Sequence, residues 1–153
     1  MSVNLAKSSN FVVQFHNDTK NLEFQCQAVN LPGLSLGLIQ VPHFEQNEQR
    51  IGDSITWNPL ILTIICDEEF KAFKDVFNIL KASKDPTTGK YNNEYPIFDG
   101  KIILNTNKGN KIEMIEFRNA FFQEITDMNF DTTIEDSTMI FSATVYYTYY
   151  DFI

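Results

Sequence analysis

The sequence predicts a mainly β (α+β) chain, an antiparallel β-sandwich or barrel with one packed α-helix. Apolar and polar residues alternate in run after run, the period-two signature of half-buried strands, whereas one stretch alone repeats at helical spacing. The chain has 153 residues, 43% hydrophobic and 14% aromatic, enough for one core, so residues 1–153 are read as a single domain.

The first strand is marked by Phe11, Val13 and Phe15, and the polar stretch 16–21 supplies a hairpin turn. NLEFQCQAV (21–29) follows as a half-buried strand with Leu22, Phe24, Cys26 and Ala28 on one face. Leu31-Pro32-Gly33 stops it, since proline cannot donate to a ladder and glycine permits a sharp redirection. Between residues 36 and 53 the alternation weakens. Leu38, Ile39 and Val41 read as a strand, but HFEQNEQRIGD (43–53) is nearly all polar, a loop or a hairpin whose partner lies on another molecule. ITWNPLILTIIC (55–66) is apolar on both faces, which predicts a central strand covered on both sides.

One helix is expected next. Asp67 is the N-cap candidate, Glu68 and Glu69 fall in the first turn, and Phe70, Phe73, Phe77 and Leu80 recur at helical spacing. Asp85-Pro86-Thr87-Thr88-Gly89 ends it. Strands resume at KIILN (101–105), turn at TNKGN (106–110) and return through residues 111–122. STMIFSATVYYTYY (137–150) alternates throughout, longer than the usual strand of about five or six residues. A strand of that length is expected to continue into a neighbour.

Composition excludes several functions. Twenty acidic against 12 basic residues, a net charge of −8, argue against a basic nucleic-acid reader. No run approaches the roughly 18 apolar residues of a spanning helix, so no membrane association is expected, and the opening MSVNLAKSSN lacks the apolar core of a secretory signal. Cys26 and Cys66 lie in strand-like runs far from any CxxC spacing and read as reduced, half-buried residues. His16 and His43 have no partner at metal-ligand spacing. Asp127, Asn129 and Asp131 start like a calcium loop, but Thr132 stands where glycine is needed and Thr138 where a bidentate Glu belongs. No catalytic constellation emerges, so neither an enzyme, a metal site nor a cofactor is expected. Charge is segregated instead. Five basic residues (Lys71, Lys74, Lys81, Lys84, Lys90) lie on or just past the helix, and none follows Arg118, while Glu124, Asp127, Asp131, Glu135, Asp136 and Asp151 remain.

Several strings stand in an order that resembles a known family. These are FQCQAVNLPGLSLG (24–37), Val41-Pro42, Gly52-Asp53, the run 59–65 leading into Asp67-Glu68, DPTTGKY (85–91) and the closing TMIFSATVYYTYYDF. Together they are similar to the tail-tube superfamily of contractile-tailed, T4-like bacteriophages, over most of the chain. NLPGLSLG and the DEEF helix entry look closest to its tail-completion, or tube-terminator, branch, whereas the tryptophan many relatives carry in the helix is replaced here by the Phe77-Asn78 region.

The resemblance implies a structural virion protein forming a hexameric ring of or on the tail tube, a bore through which DNA passes, and assembly in the host cytoplasm. Its implied partners are copies of itself in stacked rings, other tube, sheath, baseplate or terminator proteins, and DNA held transiently and without sequence specificity. On that reading the polar arm His43, Phe44, Glu45, Gln46, Asn47, Glu48, Gln49 and Arg50 makes inter-ring or inter-subunit contacts. Glu124, Asp127, Asp131, Glu135 and Asp136 are the lumen-facing candidates, because like charge prevents phosphate from sticking. A type VI secretion tube shares the expected fold, and a soluble ligand-binding sandwich using Tyr146, Tyr147, Tyr149 and Tyr150 is the reading from another class.

Overall fold

A computed structural model describes residues 11–18, 20–84, 89, 96–105, 111–133 and 138–153. Ten strands and one helix follow in order: β1 (Phe11–His16), β2 (Asn21–Phe24), β3 (Cys26–Val29), β4 (Leu34–Pro42), β5 (Asn47–Trp57), β6 (Leu60–Ile65), α1 (Lys71–Ala82), β7 (Phe98–Asn105), β8 (Lys111–Ile125), β9 (Ile140–Tyr146) and β10 (Tyr149–Phe152). The mainly β expectation with one packed helix holds. The turns expected at 85–88 and 106–110 fall outside the described residues, although β7 and β8 pair in antiparallel register up to Asn105 opposite Lys111.

Seven strands run in the order β2-β1-β7-β8-β9-β6-β3, and β10 adds to β8. The path begins and ends on one stretch of chain. Residues 21–24 pair with β1, residues 26–29 pair with β6, and the amide of Ile65 donates to the Gln25 carbonyl between them at 2.9 Å. The sheet therefore closes on itself, which removes most of its free edges. A register shift between Cys26 and Ala28 reverses the alternation. Ala28, expected inside, is exposed, and Val29 packs on the core in its place.

The interior is apolar throughout the described residues. Val13, Phe15, Leu60, Leu62, Ile64, Ile115, Phe117, Ala143 and Val145 are all essentially inaccessible. Phe122 sits amid Phe15, Phe24 and Phe98 with ring centroids 5.2–6.0 Å away, tilted or edge-to-face as aromatic quadrupoles prefer.

The long C-terminal run is not one uninterrupted strand. It breaks at Tyr147 and Thr148, yet both halves follow the same edge of β8 in one register, Phe121 opposite Tyr146 and Arg118 opposite Tyr149. The cause lies across the ladder. Asn119 adopts φ +55°, a left-handed backbone, and its amide turns to the Asp99 carboxylate at 3.3 Å, which also accepts from Arg118. This bulge flips the buried phase of β8 from Ile115 and Phe117 to Ala120 and Phe122. The long partner expected from a neighbour is thus β8 itself, 15 residues long.

The helix starts later than its charge pattern predicts. Phe70 occupies the N-cap position with φ 56°, Glu68 and Glu69 precede the helix, and Asp67 reaches forward to accept the Lys71 amide at 3.1 Å. Val76 and Ile79 form the buried centre of the stripe, with Phe73 edge-on to Phe141 at 5.2 Å. Phe77, one position round from Val76, is left 48% exposed and stacks on Phe73.

Candidate assembly surfaces

β4 and β5 stand apart from the closed sheet as a two-stranded hairpin. The arm read as polar loop or intermolecular strand is therefore a hairpin whose partner is β4 of the same chain. Its registered pairs run from Leu34 opposite Trp57 to Pro42 opposite Asn47. The polarity of residues 43–53 reflects two solvent-facing sides, not absence of structure.

At the tip, His43 and Gln46 close a tight turn, the His43 amide donating to the Gln46 carbonyl at 2.8 Å. Phe44 projects fully into solvent, and Glu45, Gln46, Asn47, Gln49 and Arg50 are exposed as well. His43 Nε2 lies 2.6 Å from the Glu48 carboxylate, which Arg50 also approaches at 3.3 Å. All eight expected contact residues thus gather on one projecting tip.

Below the tip lies a surface that polarity alone did not mark. Residues directly opposite in an antiparallel ladder share a face. Leu34 with Trp57, Leu36 with Ile55 and Leu38 with Ile51 make one apolar row, and its five aliphatic members are 45–70% exposed. The signal available in the sequence was the even spacing of Leu34, Leu36 and Leu38.

Halfway along, the register shifts between Leu36 and Leu38, so that Gly37 opposes the Gly52–Ser54 stretch. A Cβ on Gly52 would lie 3.1 Å from the Gly37 backbone, and one on Gly37 would lie 2.5 Å from Ser54 Oγ. A side chain at Gly52 would press on the Gly37 backbone, and one at Gly37 would have to displace the Ser54 hydroxyl. The bulge is an elbow that sets the direction of the distal hairpin.

The base of the hairpin is anchored. Trp57 packs edge-to-face on Tyr147 and Tyr150 at 6.2 and 5.2 Å, and Phe117 closes the cluster. The hydroxyl of Tyr147 donates to the Asn58 carbonyl at 2.7 Å and that of Tyr150 to the Pro32 carbonyl. Burial, with Tyr150 adding to it, pushes the Tyr147 phenol up to about 12. Because the strand breaks at Thr148, Tyr150 joins Tyr147 on the inner side rather than opposing it. These two tyrosines hold the hairpin in place, and Tyr146 stacks on Phe121 outside.

β6 departs from expectation. It is central in the ladder, between β3 and β9, but only Leu60, Leu62 and Ile64 are buried. On the opposite face Ile61 is 45% exposed; Tyr146 and Phe121 toward the same end, and Ile140, opposite Ile65, at the other, are 41–42% exposed. A strand apolar on both sides has one side bare.

Glu124, Asp127 and Asp131 are exposed at and just after the end of β8, while Glu135 and Asp136 fall outside the described residues. Thr133 donates to Asp131 from its amide and hydroxyl at 2.9 and 2.6 Å and holds that carboxyl below its usual range. Asp131, the third residue of the calcium-like spacing, is thus engaged in an Asx turn. Phe130 meets Phe70 at 6.0 Å, so the acidic loop lies beside the start of α1. Burial pushes the Cys26 thiol up to about 12 and raises that of Cys66, so neither is an activated nucleophile. Among the described residues no group of three or more His, Cys, Asp or Glu is placed to hold a metal, and no helix is long and apolar enough to cross a membrane.

Chains with a similar overall fold occur in solved contractile machines. One chain of the anti-feeding prophage baseplate, a six-fold symmetrised assembly, superposes with a TM-score of 0.78 at 11% identity, covering 99% of this chain and 97% of that one. The sheath/tube terminator of an extracellular contractile injection system gives 0.73 at 15% identity, covering 100% and 99%. An Hcp protein is more distant, at 0.56 and 12% identity. The fold is thus that of the tube and terminator subunits of contractile tails.

Within that class, the chain is similar to the tail tube terminator protein of Enterobacteria phage T4, 26% identical over 155 residues that cover 96% of this chain and 88% of that protein. No family profile matches the chain. The resemblance read from the motifs is borne out, terminator branch included.

Proposed function

We propose that this chain caps the tail tube of a contractile phage as a closed hexameric ring of identical copies, assembled in the host cytoplasm and retained in the virion tail. The observation that carries the reading is the β4–β5 hairpin. A folded, anchored, two-stranded element with an exposed apolar row and no strand against either outer edge among the described residues is unfinished as a monomer. Its tip, from His43 to Arg50, makes the inter-ring or inter-subunit contact. Neighbouring tube, sheath and terminator proteins complete the set of partners.

Glu124, Asp127 and Asp131, together with Glu135 and Asp136, line the bore in this reading. Their charge keeps DNA moving, since phosphate neutralised by Lys or Arg is what holds DNA in place. The work is mechanical and electrostatic rather than enzymatic. The similarity to a phage tail terminator, much stronger than that to an Hcp protein, favours the phage tail over a secretion tube. Tyr147 and Tyr150 are half-buried and donate to carbonyls at the hairpin base, leaving Tyr146 and Tyr149 exposed of the four, which supports the assembly reading over a ligand-binding sandwich.

The test is to add purified protein to growing tail tubes. Capping predicts arrested elongation and a ring at the tube end by negative-stain microscopy, with Glu48→Lys folding normally and losing this activity. Unchanged tube growth, with bare ends at saturating protein, would refute the proposal.

A further inference from the structure

We infer that Asn30, acting with Tyr147 and Tyr150, presets the direction of the β4–β5 hairpin on the free subunit, so that the tip reaches the tube end already aimed. This deepens the proposed capping and rests on it. Among the described residues β4 and β5 form no ladder with the closed sheet. Where the tip points is therefore set at the base, by two connectors, residues 30–33 and 58–59. Each carries a proline, Pro32 or Pro59, which fixes its own φ and keeps the residue before it extended.

Asn30 stands where β3 leaves the ladder, one residue past Val29, which pairs with Leu62. The next rung is made by its side chain. Asn30 Oδ1 accepts the Ile61 amide at 2.6 Å, and Nδ2 donates to the Pro59 carbonyl at 3.1 Å. A short carboxamide carries acceptor and donor side by side, as a peptide group does. Asp in its place would keep the acceptor alone, and Ala neither. The Asn58 amide then links one connector to the other through the Gly33 carbonyl at 3.1 Å. From the body, the Tyr147 hydroxyl holds the Asn58 carbonyl and the Tyr150 hydroxyl the Pro32 carbonyl. Residues 30–33 are thus fixed through Asn30 and Tyr150, and 58–59 through Asn30 and Tyr147. Bonds at two separate points define a direction, where one alone would leave a pivot. An element that must first find its binding direction loses affinity in proportion to the time it spends elsewhere, and this base removes that loss.

Spin labels on the full chain test this. Glu45→Cys on the tip and Lys81→Cys on α1, with Cys26→Ala and Cys66→Ala so that labels attach nowhere else, read the hairpin direction in the free subunit by pulsed EPR. The labelled parent should give one narrow distance distribution. Asn30→Ala, and separately Tyr147→Phe combined with Tyr150→Phe, should broaden it. In the unlabelled chain the same changes should raise the concentration needed to cap tube ends by about tenfold or more, the loss expected when about one hairpin in ten stays aimed. Ile79→Val, a core truncation on α1, separates aim from stability: it should lower the melting temperature and leave both distance and capping unchanged. A broad distribution in the parent would overturn the inference, as would parental distances and capping in both base variants. Ile79→Val impairing capping as much as the base variants do would also overturn it. If the parent caps no tube while the distances behave as stated, the ring reading falls and the preset hairpin stands.

Discussion

Phe73 shows how one side chain joins helix to sheet. It stands at the edge of the buried stripe of α1, its ring edge-on to Phe141 at 5.2 Å. Truncating a core phenylalanine costs about 3–5 kcal/mol, against roughly 5–15 kcal/mol for a whole domain. Phe73→Asp adds an unpaired charge beneath the helix, so it is expected to abolish cooperative unfolding, as read by circular dichroism on heating. A native-like melt would contradict that role. Tyr147 offers a second test, because Trp57 is the single tryptophan and lies against it. The folded phenol is raised to about 12, chiefly by burial. The fold thus holds this proton more tightly than the unfolded chain does. The contribution is complete below the ordinary tyrosine value of about 10 and is lost as pH climbs from there through about 12. Trp57 emission should change over that window, and Tyr147→Phe should remove the step. An emission change centred near 10 and unaffected by Tyr147→Phe would show that the phenol is not so held.

At the scale of elements, the hairpin and the sheet separate cleanly. The elbow at Gly37 and Gly52 belongs to the hairpin alone, where a Cβ on Gly52 would press on Gly37 at 3.1 Å. Gly52→Val is expected to force the two strands apart, at a local cost of about 1–3 kcal/mol. The closed sheet should melt as before while tube-end assembly is lost; wild-type assembly by this variant would show that the elbow does not aim the tip. Much of this architecture is legible in the sequence. Phe11, Val13 and Phe15 mark β1, the apolar spacing of 70–80 marks α1, and 55–66 announces the central strand. Bulges are what escape detection. Nothing in the composition around Asn119 or between Cys26 and Ala28 signals a phase reversal, because a bulge is fixed by pairing across the sheet. For the same reason Ala28 and Tyr150 sit on faces that unbroken alternation along 21–29 and 137–150 does not give them. The hairpin hid differently: with both sides in solvent, alternation no longer reports burial, and only the tip residues stood out as a polar run.

For the whole molecule, the sheet closes through 21–29, so the core needs no second chain. What remains open is on the outside: the hairpin edges and the C-terminal Phe152 and Ile153, 66% and 61% exposed. The two strands expected to seek partners on a neighbour, the 43–53 arm and the C-terminal run, find them in β4 and β8 of the same chain. Most strands are paired within the chain, and incompleteness is concentrated in one projecting element. Self-assembly through that element is the central claim, and amide hydrogen exchange compared between monomer and tube-end rings tests it most directly. Amides of 34–42 and 47–57 should exchange fast in the monomer and become strongly protected in the ring, while β1, β6 and β7, each paired on both edges, stay protected in both states. Rings that leave exchange across 34–57 as fast as in the monomer would contradict it.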